Sequence, residues 1–422
     1  MANRRIEAAK ILQTVLEEKV FFTELKKKVS KDDLPFINML ILTALRRLVA
    51  VEKLLAGFLK KKIPHKKRMA QYLLILAVTE IFYLDTPVYA VVDETVDCIK
   101  KTTDRFLSGL ANAVLRRIIE QKSILKTRAD NISALPETFL PLLADYGKDE
   151  IAKTAESIYM QPALDLSVKK NPENYAQDLS ATLLPNGSLR IFEKTFPNFS
   201  GSDYWAQDVA ASLPVLAMGN VKNLKVVDLC AAPGGKTAQL AAAGANVTAV
   251  DISQTRLEIL KQNMQRLSFP DIRVVCADAA NFLHSEKEKY DMILLDAPCS
   301  ATGTFRRHPE ILHTKTLQDV EEQTKIQYQL LQSCSLILKV GGFLVYSVCS
   351  ICRQEGEKMI ENFLQNNNTF KLVPIERSLI EKYGQWSQNF ISENGTIRTL
   401  PFYEKELGGM DSFYICKMQR II

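Results

Sequence analysis

Val226-Val227-Asp228-Leu229-Cys230-Ala231-Ala232-Pro233-Gly234-Gly235-Lys236-Thr237 is the stretch whose reading decides the fold. A short apolar run ending in a carboxylate, then small residues and paired glycines, then a helical pattern, reads as strand, tight turn and helix. Such a turn lets the backbone approach a ligand while the first amides of the helix face it. The GxxxxGK[ST] spacing of a phosphate-cradling loop is absent, and so is the GxGxxG of a dinucleotide turn. Outward from it, strands predicted at 224–229, 246–250, 273–275, 292–295 and 343–348 alternate with helical patterns at 236–243, 254–267 and 316–339. That alternation predicts an α/β, Rossmann-like fold: a doubly wound parallel sheet with helices on both faces. Sheets of this kind bind ligands at the carboxyl ends of their strands, where the strand order switches.

Carboxylates stand at these strand ends. Asp228 ends the first. Asp251 ends the second, 17 residues beyond Gly234, placed either to bind ribose hydroxyls or to cap the helix that starts near Ser253. Asp278, after the third, is placed to hold an adenine amine. The set suits an adenosyl ligand without phosphates. After the fourth strand comes Asp296-Ala297-Pro298-Cys299-Ser300-Ala301-Thr302-Gly303-Thr304, whose proline-fixed turn presents a carboxylate and a thiol at the open edge of the sheet. After the fifth comes Tyr346-Ser347-Val348-Cys349-Ser350. Cys349 and Cys352 also form a CxxC, which suggests a redox pair able to switch off Cys349. A zinc site would need a second CxxC or paired histidines, so no metal is expected. Outside these motifs Cys98, Cys276, Cys334 and Cys416 read as packing, as does Cys230 apart from its place in the glycine turn.

With 422 residues, 47% of them hydrophobic, the chain has material for two or three cored domains. Eight scattered cysteines and a charged N-terminal pattern without a signal peptide fit reduced thiols in a cytoplasm. The greasiest run, 72–78, falls well short of the ~20 residues a bilayer requires, so no membrane span is expected. Residues 1–125 hold 23 Lys+Arg against 14 Asp+Glu, a net +9; the remainder holds 31 against 34, a net −3. A polyanion such as RNA therefore meets the N-terminal part first. There Ile37, Leu40, Ile41, Ala44, Leu48, Val51 and Leu55 recur at helical spacing. The basic loop 60–68 follows, then helices at 69–84, 91–101 and 105–119, as in an all-α bundle. Three domains are expected: 1–125 all-α, 126–205 a helical linker with a small α/β subdomain, and 206–422 the Rossmann-like domain.

In 228–237 and 296–304 the sequence resembles the S-adenosylmethionine-dependent RNA cytosine-C5 methyltransferases of the RsmB/Sun family, which carry DxCAAPGGKT, DAPCSGTG and a later TCS cysteine motif. The likeness continues through Arg306-Arg307-His308-Pro309-Glu310 and the terminal Ser412-Phe413-Tyr414-Ile415-Cys416-Lys417. Phe106, Asn112, Val114 and Leu115 resemble the closing helix of NusB-type RNA-binding domains, with extra residues between Phe106 and Asn112. This chain departs from the family at Ala301 for glycine, Val348 for threonine, Ser212 for glutamine, and 353–357 for Pro-Glu-Glu-Asn.

The resemblance implies S-adenosylmethionine held by Cys230, Ala231, Ala232, Pro233, Gly234, Gly235, Lys236, Asp251, Asp278 and Asp296. It implies Cys349 as the nucleophile that adds to C6 of cytosine, Asp296 as the group that polarises the base, and Cys299 as the residue that assists release. The order NusB-like, linker, methyltransferase implies 16S, small-subunit ribosomal RNA as substrate, at the site usually called cytosine 967. Transfer RNA or 23S ribosomal RNA, or a non-catalytic assembly role, are the alternatives. The expected RNA contacts are Lys60, Lys61, Lys62, Lys66, Lys67, Arg68, Arg116, Arg117, Arg306 and Arg307, in a monomer without metal or membrane.

Overall fold

The computed structural model describes residues 2–59, 63, 68–192, 201–269 and 271–422. It divides into two units, Met1–Tyr159 with Phe305–Lys315, and Met160–Thr304 with Thr316–Ile422.

The first unit is all-α. Its helices are α1 (Ala2–Glu18), α2 (Phe22–Leu25), α3 (Leu34–Phe58), α4 (Arg68–Tyr83), α5 (Val88–Lys100), α6 (Ser108–Glu120), α7 (Lys122–Asp130) and α8 (Lys148–Ser157). The apolar spacing of α3 puts Ile37, Leu40, Ile41, Ala44, Leu48, Val51 and Leu55 into the core, where they meet α1, α4, α5 and α6. By length and composition α3 could cross a bilayer, a run the expectation from 72–78 overlooked. It also carries Arg46, Arg47, Glu52 and Lys53, and ten of its residues are buried in the bundle. One charge in that core is paired: Arg5 donates two hydrogen bonds to Glu80, at 2.9 and 2.7 Å.

The expected boundary at 125 does not separate the units. Helix α7 continues the bundle through Leu125 and Ala129, which join the same core, so the chain leaves this unit only after Tyr159. The expected middle domain is not a separate unit either. Strands β1 (Leu164–Val168), β2 (Thr182–Leu183), β3 (Leu189–Ile191) and β4 (Tyr204–Ala206), with α9 (Pro172–Asp178) between β1 and β2, form an antiparallel sheet in the order β2-β3-β1-β4. A buried pair binds it to the rest of its unit: Arg190 donates to both Asp165 oxygens, at 2.6 and 2.7 Å, and to the carbonyls of Leu407 and Gly409.

The remaining elements are α10 (Val209–Met218), β5 (Lys225–Leu229), α11 (Gly235–Ala242), β6 (Asn246–Asp251), α12 (Gln254–Arg266), β7 (Arg273–Cys276), α13 (Ala279–Ser285), β8 (Tyr290–Asp296), α14 (Ile311–Thr314, in the first unit), α15 (Leu317–Cys334), β9 (Leu338–Val348), α16 (Glu357–Gln365), β10 (Phe370–Val373), β11 (Ile397–Arg398) and β12 (Tyr414–Arg420). The large sheet runs β10-β12-β9-β8-β5-β6-β7, parallel from β9 to β7, with β12 and β10 antiparallel at one end. Alternate strand residues serve opposite faces. Val227, Ile293 and Leu344 pack with α13, α15 and α16, whereas Val226, Leu294 and Val345 pack with α10. Helix α15 ends at Cys334, short of the expected 339, because residues from Leu338 onward pair with β8. The strand order switches at β5, so the ends of β5, β8 and β9 open onto one crevice.

Candidate active site

Beyond β5 the chain turns sharply through Cys230 (φ +62°) and Gly234 (φ +103°) into α11. A Cβ at Gly234 would lie 2.9 Å from Leu260, so glycine meets both a backbone and a packing demand there. The turn lines a cavity of about 430 Å³ together with Asp228, Lys236, Trp205, Gln207 and Asp296. Asp228 is fully buried, and Thr237 Oγ1 donates to its Oδ2 at 2.6 Å. Its Oδ1 has no hydrogen-bond partner among the described residues. An unmet acceptor beside a glycine turn fits a ligand that brings a donor such as the ammonium of S-adenosylmethionine. Burial, and next the nearby charge of Asp296, outweigh the Thr237 bond and push the Asp228 carboxyl up to about 7.

Asp251 and Asp278 take different local parts. Asp251 is buried and accepts from the Ala232 amide at 3.1 Å and the Ser253 amide at 3.0 Å, so it braces the glycine turn; the helix cap after it is Ser253. Asp278 is half-buried and caps α13 through the Asn281 amide at 3.1 Å.

Asp296 stands at the end of β8, in register with Ser347 of β9. Ser347 Oγ donates to its Oδ1 and Lys236 Nζ to its Oδ2, both at 2.8 Å. Burial pulls the Lys236 ammonium down, but the Asp296 charge and hydrogen bond outweigh it, and the net direction is up. The structure brings the two motif cysteines together: Cys299 Sγ lies 3.4 Å from Cys349 Sγ. That contact, then burial, holds the Cys299 thiol well above its usual range. Cys352 Sγ lies 3.5 Å from Thr302 Oγ1 instead, and all eight cysteines are free. The sulfur beside Cys349 is therefore that of Cys299.

The expected RNA contacts divide. Lys60, Lys61, Lys62, Lys66 and Lys67 lie outside the described residues. Arg68 pairs with Glu17 at 2.9 Å, Arg116 bonds Asn112 at 3.2 Å, and Arg117 is exposed on the same helix. Arg307 is half-buried. Arg306 must be corrected: it is 1% exposed, and its carbonyl accepts from Arg46 at 2.9 Å in the all-α unit, so its side chain faces protein rather than phosphate.

Sequence reasoning missed Ser347 and Glu355. A hydroxyl inside an otherwise apolar strand was the available signal for Ser347. Glu355 stands in the stretch read only as a departure from the family pattern, yet it is fully buried and accepts from Ser300 and Gln327.

The chain matches the family model described as 16S rRNA methyltransferase RsmB/F over residues 215–419 and the NusB family over residues 2–120. It is 30% identical over 448 aligned residues to ribosomal RNA small subunit methyltransferase B of Pasteurella multocida, an alignment that covers 100% of this chain and 97% of that one. Among solved structures, PH0851 is similar in fold, with a TM-score of 0.77, 22% identity and 99% of each chain covered. A methyltransferase homologue from Pyrococcus horikoshii covers 68% of this chain and 98% of its own, with a TM-score of 0.54 and 25% identity. With a NusB match in front, a methyltransferase match behind and a relative aligned along the whole chain, this protein belongs to the RsmB/F family of S-adenosylmethionine-dependent ribosomal RNA methyltransferases.

Proposed function

We propose that the protein methylates C5 of a cytosine in small-subunit ribosomal RNA, as a cytoplasmic monomer, through a covalent adduct at C6. The observation that carries this reading is the pair of sulfurs 3.4 Å apart beside Asp296. Cytosine C5 is a weak nucleophile until a thiolate adds to C6 and makes the ring enamine-like. Cys349 is assigned that addition, forming a C6–S bond as the ring electrons move toward C5 and N3. S-adenosylmethionine supplies the methyl group that the activated C5 accepts.

Asp296 keeps lone pairs free at both oxygens to accept from the exocyclic amine of the base, since Lys236 and Ser347 occupy one direction at each. Lys236, bonded to Asp296 at 2.8 Å, places a positive charge at the site as the ring gains electron density. Release passes the C5 proton to water, the C5–H electron pair re-forms the C5=C6 bond, and the C6–S pair leaves with the Cys349 sulfur. Cys299, adjacent to the leaving sulfur, assists that step. The base must leave its stack to reach these groups, because C5 and C6 are covered within a helix.

The test is transfer of labelled methyl to ribosomal RNA with mapping of the modified nucleotide. Cys349→Ala is expected to lose both transfer and adduct, and Cys299→Ala to accumulate adduct. Full activity in Cys349→Ala, or a mapped base other than cytosine, would overturn the reading. The mapped position also decides between the 16S site and a transfer-RNA or 23S target.

A further inference from the structure

The two cysteines come from turns that follow neighbouring parallel strands, where the ladder ends with the Ala297 amide donating to Ser347 O at 2.9 Å. Past that point the turns meet through the Gly303 amide on the Cys349 carbonyl at 3.0 Å, through Thr302 Oγ1, which lies 2.9 Å from Ser350 Oγ and accepts from the Ile351 amide at 3.3 Å, and through a shared carboxylate. Each cysteine is followed directly by a serine, and both serines reach the same carboxylate. Ser300 donates its amide to Glu355 Oε1 at 2.8 Å and its hydroxyl to Oε2; the Ser350 hydroxyl also donates to Oε2. Gln327 of α15 adds a bond to Oε1 at 3.0 Å and one to the Pro298 carbonyl at 2.9 Å. Glu355 and Ser350 are 0% exposed and Ser300 is 1% exposed.

We propose that Glu355 is a positioning residue: its buried carboxylate ties the Ser300 turn to the Ser350 turn and thereby sets the spacing of the Cys299 and Cys349 thiols. Four donors converge on it from three segments of chain. A carboxylate accepts all four; a glutamine amide would turn an NH2 group against at least one of them and leave a buried donor unmet. Glu355 does not touch the reacting atoms. Its effect is on whether two thiols address the same pyrimidine ring, and misplacement of about 1 Å at a reacting centre costs on the order of 10²-fold in rate.

The inference rests on the two-thiol reading of the site, so its test has a readout independent of methyl transfer. Phenylarsine oxide condenses with two neighbouring thiols, forming two As–S bonds and releasing water. With the purified full-length chain, peptide mapping follows bridging of Cys299 to Cys349, beside melting temperature and steady-state kinetics. In Glu355→Gln the bridging rate is expected to fall at least about tenfold and kcat on the order of 10²-fold, with KM for RNA and for S-adenosylmethionine unchanged. A merely structural role would lower the melting temperature and leave bridging in the folded fraction at the wild-type rate; that result overturns the proposal. Should Glu355→Gln fail to fold, Ser350→Ala keeps the carboxylate and removes one donor. It is expected to slow bridging in the same direction, and wild-type bridging there would equally overturn the idea. Slowed bridging in a protein that methylates no cytosine supports the positioning role and removes the cytosine reading instead.

Discussion

Ala301 sits at φ +59°, in the turn that carries Cys299, where the family usually has glycine. A side chain in the left-handed region costs roughly 1–2 kcal/mol, part of which glycine would return as unfolded-state entropy. Ala301→Gly is therefore expected to stabilise the protein by about 0.5–1 kcal/mol in chemical denaturation; destabilisation would mean that the methyl group packs usefully. Asp228 gives a pH dependence. Its carboxyl has an ordinary value of 3.8 and is raised to about 7 in the folded state. Between these values the folded state binds the extra proton, so stability falls as pH rises through that window and is level above it. Asp228→Asn removes the ionisable group and is expected to flatten that decline; an unchanged slope between about pH 4 and 7 would show that another group titrates there. These residue-scale facts were only half visible beforehand. The motif named Ala301 as an exception and Asp228 as a strand-end carboxylate, but a backbone angle and an unmet buried acceptor exist only once neighbours are in place.

Strand ends do most of the work at the scale of elements. The run 292–295 and the alternation around it predicted β8, and the apolar run 343–348 predicted the core of β9. Their adjacency and the register of Asp296 with Ser347 came from the sheet. Gly303 locks the result: its amide donates to the Cys349 carbonyl at 3.0 Å and its carbonyl accepts from Ser412 at 2.9 Å. A Cβ there would sit 2.0 Å from the Ser412 carbonyl oxygen. Gly303→Ala must push two backbone segments apart, with an expected loss of about 2 kcal/mol or more and nearly all methyl transfer; near-normal kinetics would contradict this packing. Helix α10 and strand β10 were not anticipated. A short segment such as 209–218, apolar at every position but Ser212, shows no helical period to read.

Over the whole molecule, charge is divided between a basic N-terminal part and a slightly acidic remainder. The stretch 60–68 holds the densest basic run, and its replacement by neutral residues is expected to weaken RNA binding and reduce the salt slope by about 0.7–0.9 for each phosphate left without its lysine or arginine. A slope equal to wild type would mean that other residues neutralise the phosphates. Hydrophobic period and turn composition, both local properties, determined from sequence alone that an all-α segment precedes an α/β domain, and the resemblance of its motifs marked that domain as a methyltransferase with Asp296, Cys299 and Cys349 as its candidate reactive groups. Only the tertiary structure decided that the bundle extends to Tyr159 and takes in Phe305–Lys315, that Arg306 is buried, that Cys349 meets Cys299 rather than Cys352, and that Glu355 joins both cysteine turns. The physical reason is that these depend on which distant segments share a core or a buried carboxylate, and no spacing along the chain encodes that.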